Sequence, residues 1–175
     1  MTLNTAKMWV LATGRCAIVK IAGKANFVTS IDFRTLLNEL RAKNHTYFVL
    51  DLSECILMDS TFLGVLAGFG LKSPPEKADC GGGLVELLNP NERVVELLDN
   101  LGVLHLFRVR HGALPIAAPG DAQPLVPSAP SKEVVALTCL EAHKTLIDIN
   151  PENAPKFKEV TEFLANDLKK IQAGA

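Results

Sequence analysis

The stretch from Tyr47 to Phe69 restricts the fold more than any other part of the chain. Tyr47-Phe48-Val49-Leu50-Asp51-Leu52 is a short run of residues that suit a buried strand. A turn is expected next. Asp59-Ser60-Thr61 then carries helix-start chemistry, and Phe62, Val65, Leu66 and Phe69 recur at helical spacing. The segment reads strand, loop, helix, with Ser60 presented where the helix begins. A hydroxyl there has two uses. It can cap the helix by accepting a backbone N–H, or it can carry a phosphate, because free N–H groups and the helix dipole both favour an anion. Thr61 is an alternative acceptor. Asp59 either caps the helix or positions the hydroxyl. Asp51 either accepts N–H bonds from the loop or supports the loop around Ser60. In the same helix Gly64 and Gly68 each cost about 1 kcal/mol against alanine. With Ala67 they leave a smooth side, suited to tight packing within the domain or to a docking partner.

The flanking segments supply the other elements. Met8–Thr13 and Cys16–Ala22 read as a strand hairpin across Gly14-Arg15. Thr29 or Ser30 is expected to cap a helix with Asp32 in its first turn and Phe33, Leu36, Leu37 and Leu40 on its buried stripe. Ser73-Pro74-Pro75 stops the Ser60 helix, and Gly81-Gly82-Gly83 leads into a strand, Leu84–Leu88. Asn89, Pro90 and Glu92 form a helix start, with Val94, Leu97, Leu98 and Leu101 as its stripe and Gly102 as its end. Leu104–Arg110 reads as a last strand. Strands alternating with helices after an opening hairpin indicate an α/β fold, a mixed sheet covered by helices.

Beyond residue 111 the composition changes. Five of the ten prolines fall between Pro115 and Pro130, so residues 112–131 read as a proline-rich linker or draped loop. Residues 132–175 read as an antiparallel helical hairpin. Its first helix, Lys132–Asp148, places Val135, Cys139, Ala142, Leu146 and Ile149 on one stripe; its second, Pro155–Ile171, places Phe157, Val160, Leu164, Leu168 and Ile171. Those stripes can pack on each other, on the sheet, or on a second copy in a homodimer. The expected division is therefore a domain over 1–111, a linker over 112–131 and a hairpin appendage over 132–175.

Several classes of function are disfavoured. A net charge of −1 gives no global field for nucleic acid or an anionic membrane. Cys16, Cys55, Cys80 and Cys139 are widely spaced, which argues against a disulfide framework or zinc site and for a reducing, cytoplasmic setting. Met1–Met8 lacks a signal-peptide pattern, and the apolar run Phe62–Leu71 is about half a membrane span. Ser60 lacks the G-x-S-x-G elbow of hydrolases, although a triad with His45, His105, His111 or His143 stays open, since such partners need not be near in sequence. A histidine within hydrogen-bond reach of Ser60 would favour that enzyme reading. The glycines at 81–83 precede a strand and fit neither a P-loop nor a dinucleotide fold. Arg108, Arg110 and His111 read as a solvated strand end rather than a nucleic-acid site. No metal-ligand spacing occurs, and no cofactor is expected.

Val49-Leu50-Asp51-Leu52, followed after a gap by Met58-Asp59-Ser60 and Leu63-Gly64-Val65-Leu66, resembles the STAS domain of bacterial anti-sigma factor antagonists. Ala17–Gly23 upstream and the ordered series Gly82–Val85, Asn89–Val94, Leu97-Leu98 and Leu101–Val103 downstream extend the resemblance from about Lys7 to Arg110. It implies a non-enzymatic interaction domain in which Ser60 is phosphorylated by an anti-sigma factor of the serine-kinase type and reset by a serine phosphatase. Asp59, Ser60, Thr61, Leu63, Gly64, Ala67 and Gly68 would form the partner-binding surface. Phe62 stands where the family usually has a small residue. That departure keeps open a scaffold or sensory module without regulated phosphorylation, with a nucleotide-binding protein or serine-dependent enzyme as further alternatives.

Overall fold

The computed structural model describes residues 5–72, 84–114 and 122–174. The strands are β1 (Lys7–Thr13), β2 (Cys16–Ala25), β3 (Tyr47–Met58), β4 (Leu84–Leu88), β5 (Arg108–Arg110) and β6 (Gln123–Pro124). The helices are α1 (Phe27–Ala42), α2 (Ser60–Leu71), α3 (Glu92–Asn100), α4 (Lys132–Ile149) and α5 (Ala154–Ala173). One mixed sheet runs β5-β4-β3-β2-β1-β6. β2, β3, β4 and β5 are parallel neighbours, and β1 pairs antiparallel with both β2 and β6. Long apolar strands bordered by helices suit such a sheet, because parallel strands bury both faces.

Alternation along β3 divides the interior. Phe48, Leu50 and Leu52 point to the helical side, where they join Phe33 and Leu37 of α1, Phe62 and Leu66 of α2, and Val94 and Leu98 of α3 in the main core. Val49 points the other way, to a smaller cluster with Ile18 and Leu88, against which Leu11, Tyr47 and Leu114 pack. Buried Glu86 is held by the Tyr47 hydroxyl and by Arg110 Nε at 2.9 Å. Arg110 is thus an ion-pair partner of a buried carboxylate rather than a solvated strand end.

Several boundaries differ from expectation for local reasons. β3 runs on to Met58, so no turn separates it from α2; Asp59 is the only residue between them. α1 begins earlier than expected because Asn26, not Thr29 or Ser30, is its cap, and Thr29 completes a capping box with it. Asp32 consequently lies beyond the first turn, where it accepts from Ser128 N at 3.2 Å and from the Ser128 hydroxyl. α3 is capped by Asn91, whose Oδ1 accepts from Val94 N at 2.9 Å, whereas Asn89 (φ 54°) exchanges two hydrogen bonds with Gly112. The expected strand 104–110 is divided: Leu104–Leu106 is a turn of 3-10 helix and only Arg108–Arg110 pairs. The glycines at 81–83, Cys80 and the Ser73-Pro74-Pro75 stop lie outside the described residues.

The proline-rich segment is in part structural. Gln123 and Pro124 pair with Val10 and Trp9 at the sheet edge, and Leu125 N donates to Met8 O at 2.9 Å. The two hairpin helices form, α4 over Lys132–Ile149 and α5 over Ala154–Ala173, and they pack on the rest of the chain. α4 lies along α2 and touches α1, with Ala142 and Leu146 in the main core. α5 packs on α4 and has no fully buried residue; Phe157, Val160, Leu164, Leu168 and Ile171 are half-buried.

Candidate functional site

The site forms where two helix starts and α4 converge. Asp59 is the N-cap of α2, with Oδ1 accepting from Phe62 N at 2.9 Å and Oδ2 accepting from Phe27 N at 2.7 Å. One carboxylate therefore joins the first turns of α1 and α2, satisfying donors that would otherwise lack partners. Burial pushes the Asp59 carboxyl above its ordinary value; the Phe62 and Phe27 N–H groups and nearby His143 oppose that rise.

Because Asp59 caps the helix, the Ser60 hydroxyl is left for another partner. Ser60 Oγ lies 2.8 Å from His143 Nε2, and His143 Nδ1 lies 2.6 Å from the Cys139 carbonyl oxygen. A carbonyl can only accept, so Nδ1 carries a proton; in the neutral imidazole Nε2 then offers a lone pair, to which Ser60 donates. His143 is buried and meets the Phe157 ring edge-on at 4.9 Å. Ser60 is half-buried and borders an open groove of about 680 Å³ lined by apolar side chains of α4 and α5 together with Lys132, His143 and Asp167.

Of the four histidines that sequence left open, His143 is the one bonded to Ser60. A serine donating to an oriented imidazole supplies two parts of a hydrolytic constellation. The third part here is a backbone carbonyl on the same helix rather than a carboxylate, and no glycine elbow strains Ser60 outward.

The other candidate residues fall as follows. Thr61 is buried, with its hydroxyl against the Cys139 thiol, whose pKa is raised chiefly by burial. That leaves Ser60 as the more accessible hydroxyl. Phe62 is fully buried and stacks on Phe33 at 4.5 Å between centroids, so its bulk points into the core and not over Ser60. Leu63 and Ala67 are buried, and Gly64 is pressed against α4 so closely that a Cβ would sit 2.4 Å from the Ala142 carbonyl oxygen. The small residues of α2 thus let α4's backbone approach; this face is already covered within the chain. Gly68 is half-buried beside the Thr145 methyl group. Asp51 does not support the loop. It faces the side of the sheet away from α2, pairs in register with Lys20, and accepts from Ser53 N at 3.1 Å and Ser53 Oγ at 2.7 Å. The period of two along β3 sends it there. Among the described residues, no group of three or more His, Cys, Asp or Glu side chains is placed to hold a metal ion, and no helix is long and apolar enough to cross a membrane.

The model of the STAS domain family matches residues 9–113. The chain belongs to the STAS domain family. STAS domains are regulatory, non-catalytic modules. Among solved structures, the chain is similar to an anti-sigma factor antagonist from Mycobacterium paratuberculosis, at 18% identity, with 62% of this chain and 87% of that chain covered and a TM-score of 0.52. It is also similar to the anti-sigma factor antagonist SpoIIAA in its unphosphorylated form (16% identity, 61% and 88% covered, TM-score 0.49) and to the Bacillus cell fate determinant SpoIIAA in its phosphorylated form (16% identity, 62% and 92% covered, TM-score 0.48). At these identities the likeness is one of fold. No curated protein matches the chain in sequence. The STAS match ends before α4, so the helix that supplies His143 lies outside the matched span.

Proposed function

We propose that this STAS domain is a protein-interaction module of the anti-sigma factor antagonist kind, switched by phosphorylation of Ser60. The observation that carries the reading is the position of Ser60. It is the first residue of α2, its carboxylate neighbour already caps the helix, and its hydroxyl borders an open groove. A phosphate there would sit at a helix start without displacing the cap. The unphosphorylated form binds an anti-sigma factor of the serine-kinase type, phosphate adds roughly −1.5 to −2 charges and weakens the complex, and a serine phosphatase resets it. The similar solved chains named as anti-sigma factor antagonists supply the partner class. The division into a STAS domain over 1–111 and a hairpin over 132–175 belongs to the same proposal. Phosphate transfer from candidate serine kinases to the parent and to Ser60→Ala tests it. Label on the parent and none on Ser60→Ala supports the switch; label on Thr61, or on neither protein, rejects it.

Burial of Gly64 and Ala67 beneath α4 favours a second reading, a STAS scaffold or sensory module that works without phosphate. In that case Ser60→Ala and the parent capture the same proteins from native lysate, whether or not the lysate is treated with phosphatase.

A further inference from the structure

Ser60 and the small-residue face of α2 meet the same element. Two adjacent residues of α4 make the contacts: His143 bonds Ser60 at 2.8 Å, and the Ala142 carbonyl lies where a Gly64 Cβ would be, at 2.4 Å. The seat is tight, with Ala142, His143 and Leu146 at 3%, 4% and 0% exposure. Polar ties hold its rim. Arg34 Nη1 donates to Glu141 Oε2 at 2.9 Å, and Asn153 Nδ2 donates to the Leu101 and Leu146 carbonyls, each at 2.9 Å.

A phosphate on Ser60 ends the bond to His143 as it stands, because an esterified Oγ has no proton to donate across the 2.8 Å gap. α4 has no small retreat that keeps its seat, because the two backbones already touch at Gly64. The imidazole is tied to its own helix through Nδ1 and rests against Phe157. Asp59 adds a carboxylate beside the site. The hairpin's attachment differs from that of the other helices, although Ser128 on its approach is bonded to Asp32 of α1. The hairpin lies outside the STAS match, α5 has no fully buried residue, and the approach to α4 from Val126 to Ala129 is exposed.

We infer that the α4–α5 hairpin is a built-in cover. It occupies in cis the surface of α2 that an outside partner would use. It lifts before that partner docks or Ser60 is phosphorylated. Both halves rest on the proposed function above: the phosphate half on Ser60 as acceptor, the competition in cis on α2 as the face a partner uses. In the transfer a serine kinase moves the terminal phosphoryl group of ATP to Ser60 Oγ. The bond to ADP breaks, the Oγ–P bond forms, and the hydroxyl proton passes to a base of the kinase, a step for which the hydroxyl must first leave His143.

The test uses the full chain as parent, Gly64→Leu and Ser60→Glu, with hydrogen exchange read by mass spectrometry over 132–149 and over β3. A Gly64 side chain wedges α4 from α2 while leaving the Ser60 hydroxyl in the chain, and Ser60→Glu places a carboxylate against His143. Both variants should exchange at least about tenfold faster in α4 with β3 unchanged. Incubated with native lysate and ATP, Gly64→Leu should take up phosphate at Ser60 several-fold faster than the parent. The cover is overturned if α4 stays as protected as in the parent, if α4 and β3 loosen together in both variants, or if parent and Gly64→Leu both take up phosphate at Ser60 and do so at one rate. Joint loosening in Gly64→Leu alone means that variant is misfolded, and Ser60→Glu then decides. If α4 lifts and no protein takes up phosphate, the cover in cis stands while the phosphate reading of Ser60 falls.

Discussion

At the residue scale, the stability role of Ser60 comes from its partner. Ser60→Ala leaves His143 Nε2 buried without a donor, so it should cost about 1–3 kcal/mol in urea unfolding, more than loss of a surface hydroxyl. Phe62→Ala should cost about 3–5 kcal/mol, because Phe62 is fully buried and stacked on Phe33. Asp59 gives a pH signature. Burial raises its folded-state pKa, so the fold binds its proton more readily than the unfolded chain does. Its favourable contribution is complete below about 3.8 and is lost as pH rises through the raised value. Across that window the parent should lose stability relative to Asp59→Asn, read as diverging urea midpoints; midpoints that stay parallel would refute the assignment. The presentation of Ser60 at a helix start was legible in the sequence, because Asp-Ser-Thr before an apolar helical stripe is a local signal. His143 was legible only as a candidate, since no local rule links residues 83 positions apart. Asp51 was misjudged because the strand does not end at Leu52; once β3 continues to Met58, parity alone directs that side chain away from α2.

At the element scale, the caps show which local signals bind the fold together. Asn91 holds Val94 N with its oxygen, while its Nδ2 donates to the carbonyls of Cys55 and Ile56 at 3.0 and 3.1 Å. It fixes α3 to β3 as well as starting it. Asn91→Ala should therefore exceed an isolated cap, towards the upper end of the usual range of about 0.5–2 kcal/mol, whereas Asn89→Gly suits φ 54° and should cost less, losing only the two exposed bonds to Gly112. Thermal melts of the two variants side by side check the order. The sequence offered both asparagines, and the Asn89-Pro90 start was the more conventional choice. The structure uses Asn89 instead for a left-handed turn bonded to Gly112, a contact with a distant segment. The helical stripes of α1 and α4 were legible because amphipathic spacing is local. The face that α4 covers was not, because glycines on a helix announce close approach without naming what approaches.

At the scale of the whole molecule, the sheet and hairpin form one interior. A chain ending at Leu114 loses Ala142 and Leu146 from the main core and uncovers Gly64 and Ala67. It should melt at a lower temperature than the whole chain and self-associate more as concentration rises, read by calorimetry and light scattering; equal melting and a monomer at all concentrations would show that α4 adds nothing to the core. The α/β class and the order of elements were legible, since each element has its own periodicity. The pairing of Gln123 and Pro124 at the sheet edge was not, because a two-residue strand leaves no periodicity to read. Attachment of α4 to the chain it covers has a quantitative consequence. A tethered helix meets its face at a local concentration on the order of mM, fixed by the length of the tether. Dilution does not lower that value, and more copies of the protein do not raise it. Were the uncovered form about 1% of molecules, any rival for the α2 face would bind with an apparent Kd about a hundred times its intrinsic one. Sensitivity to a rival is then written into the length and packing of this chain rather than into how much of it is made.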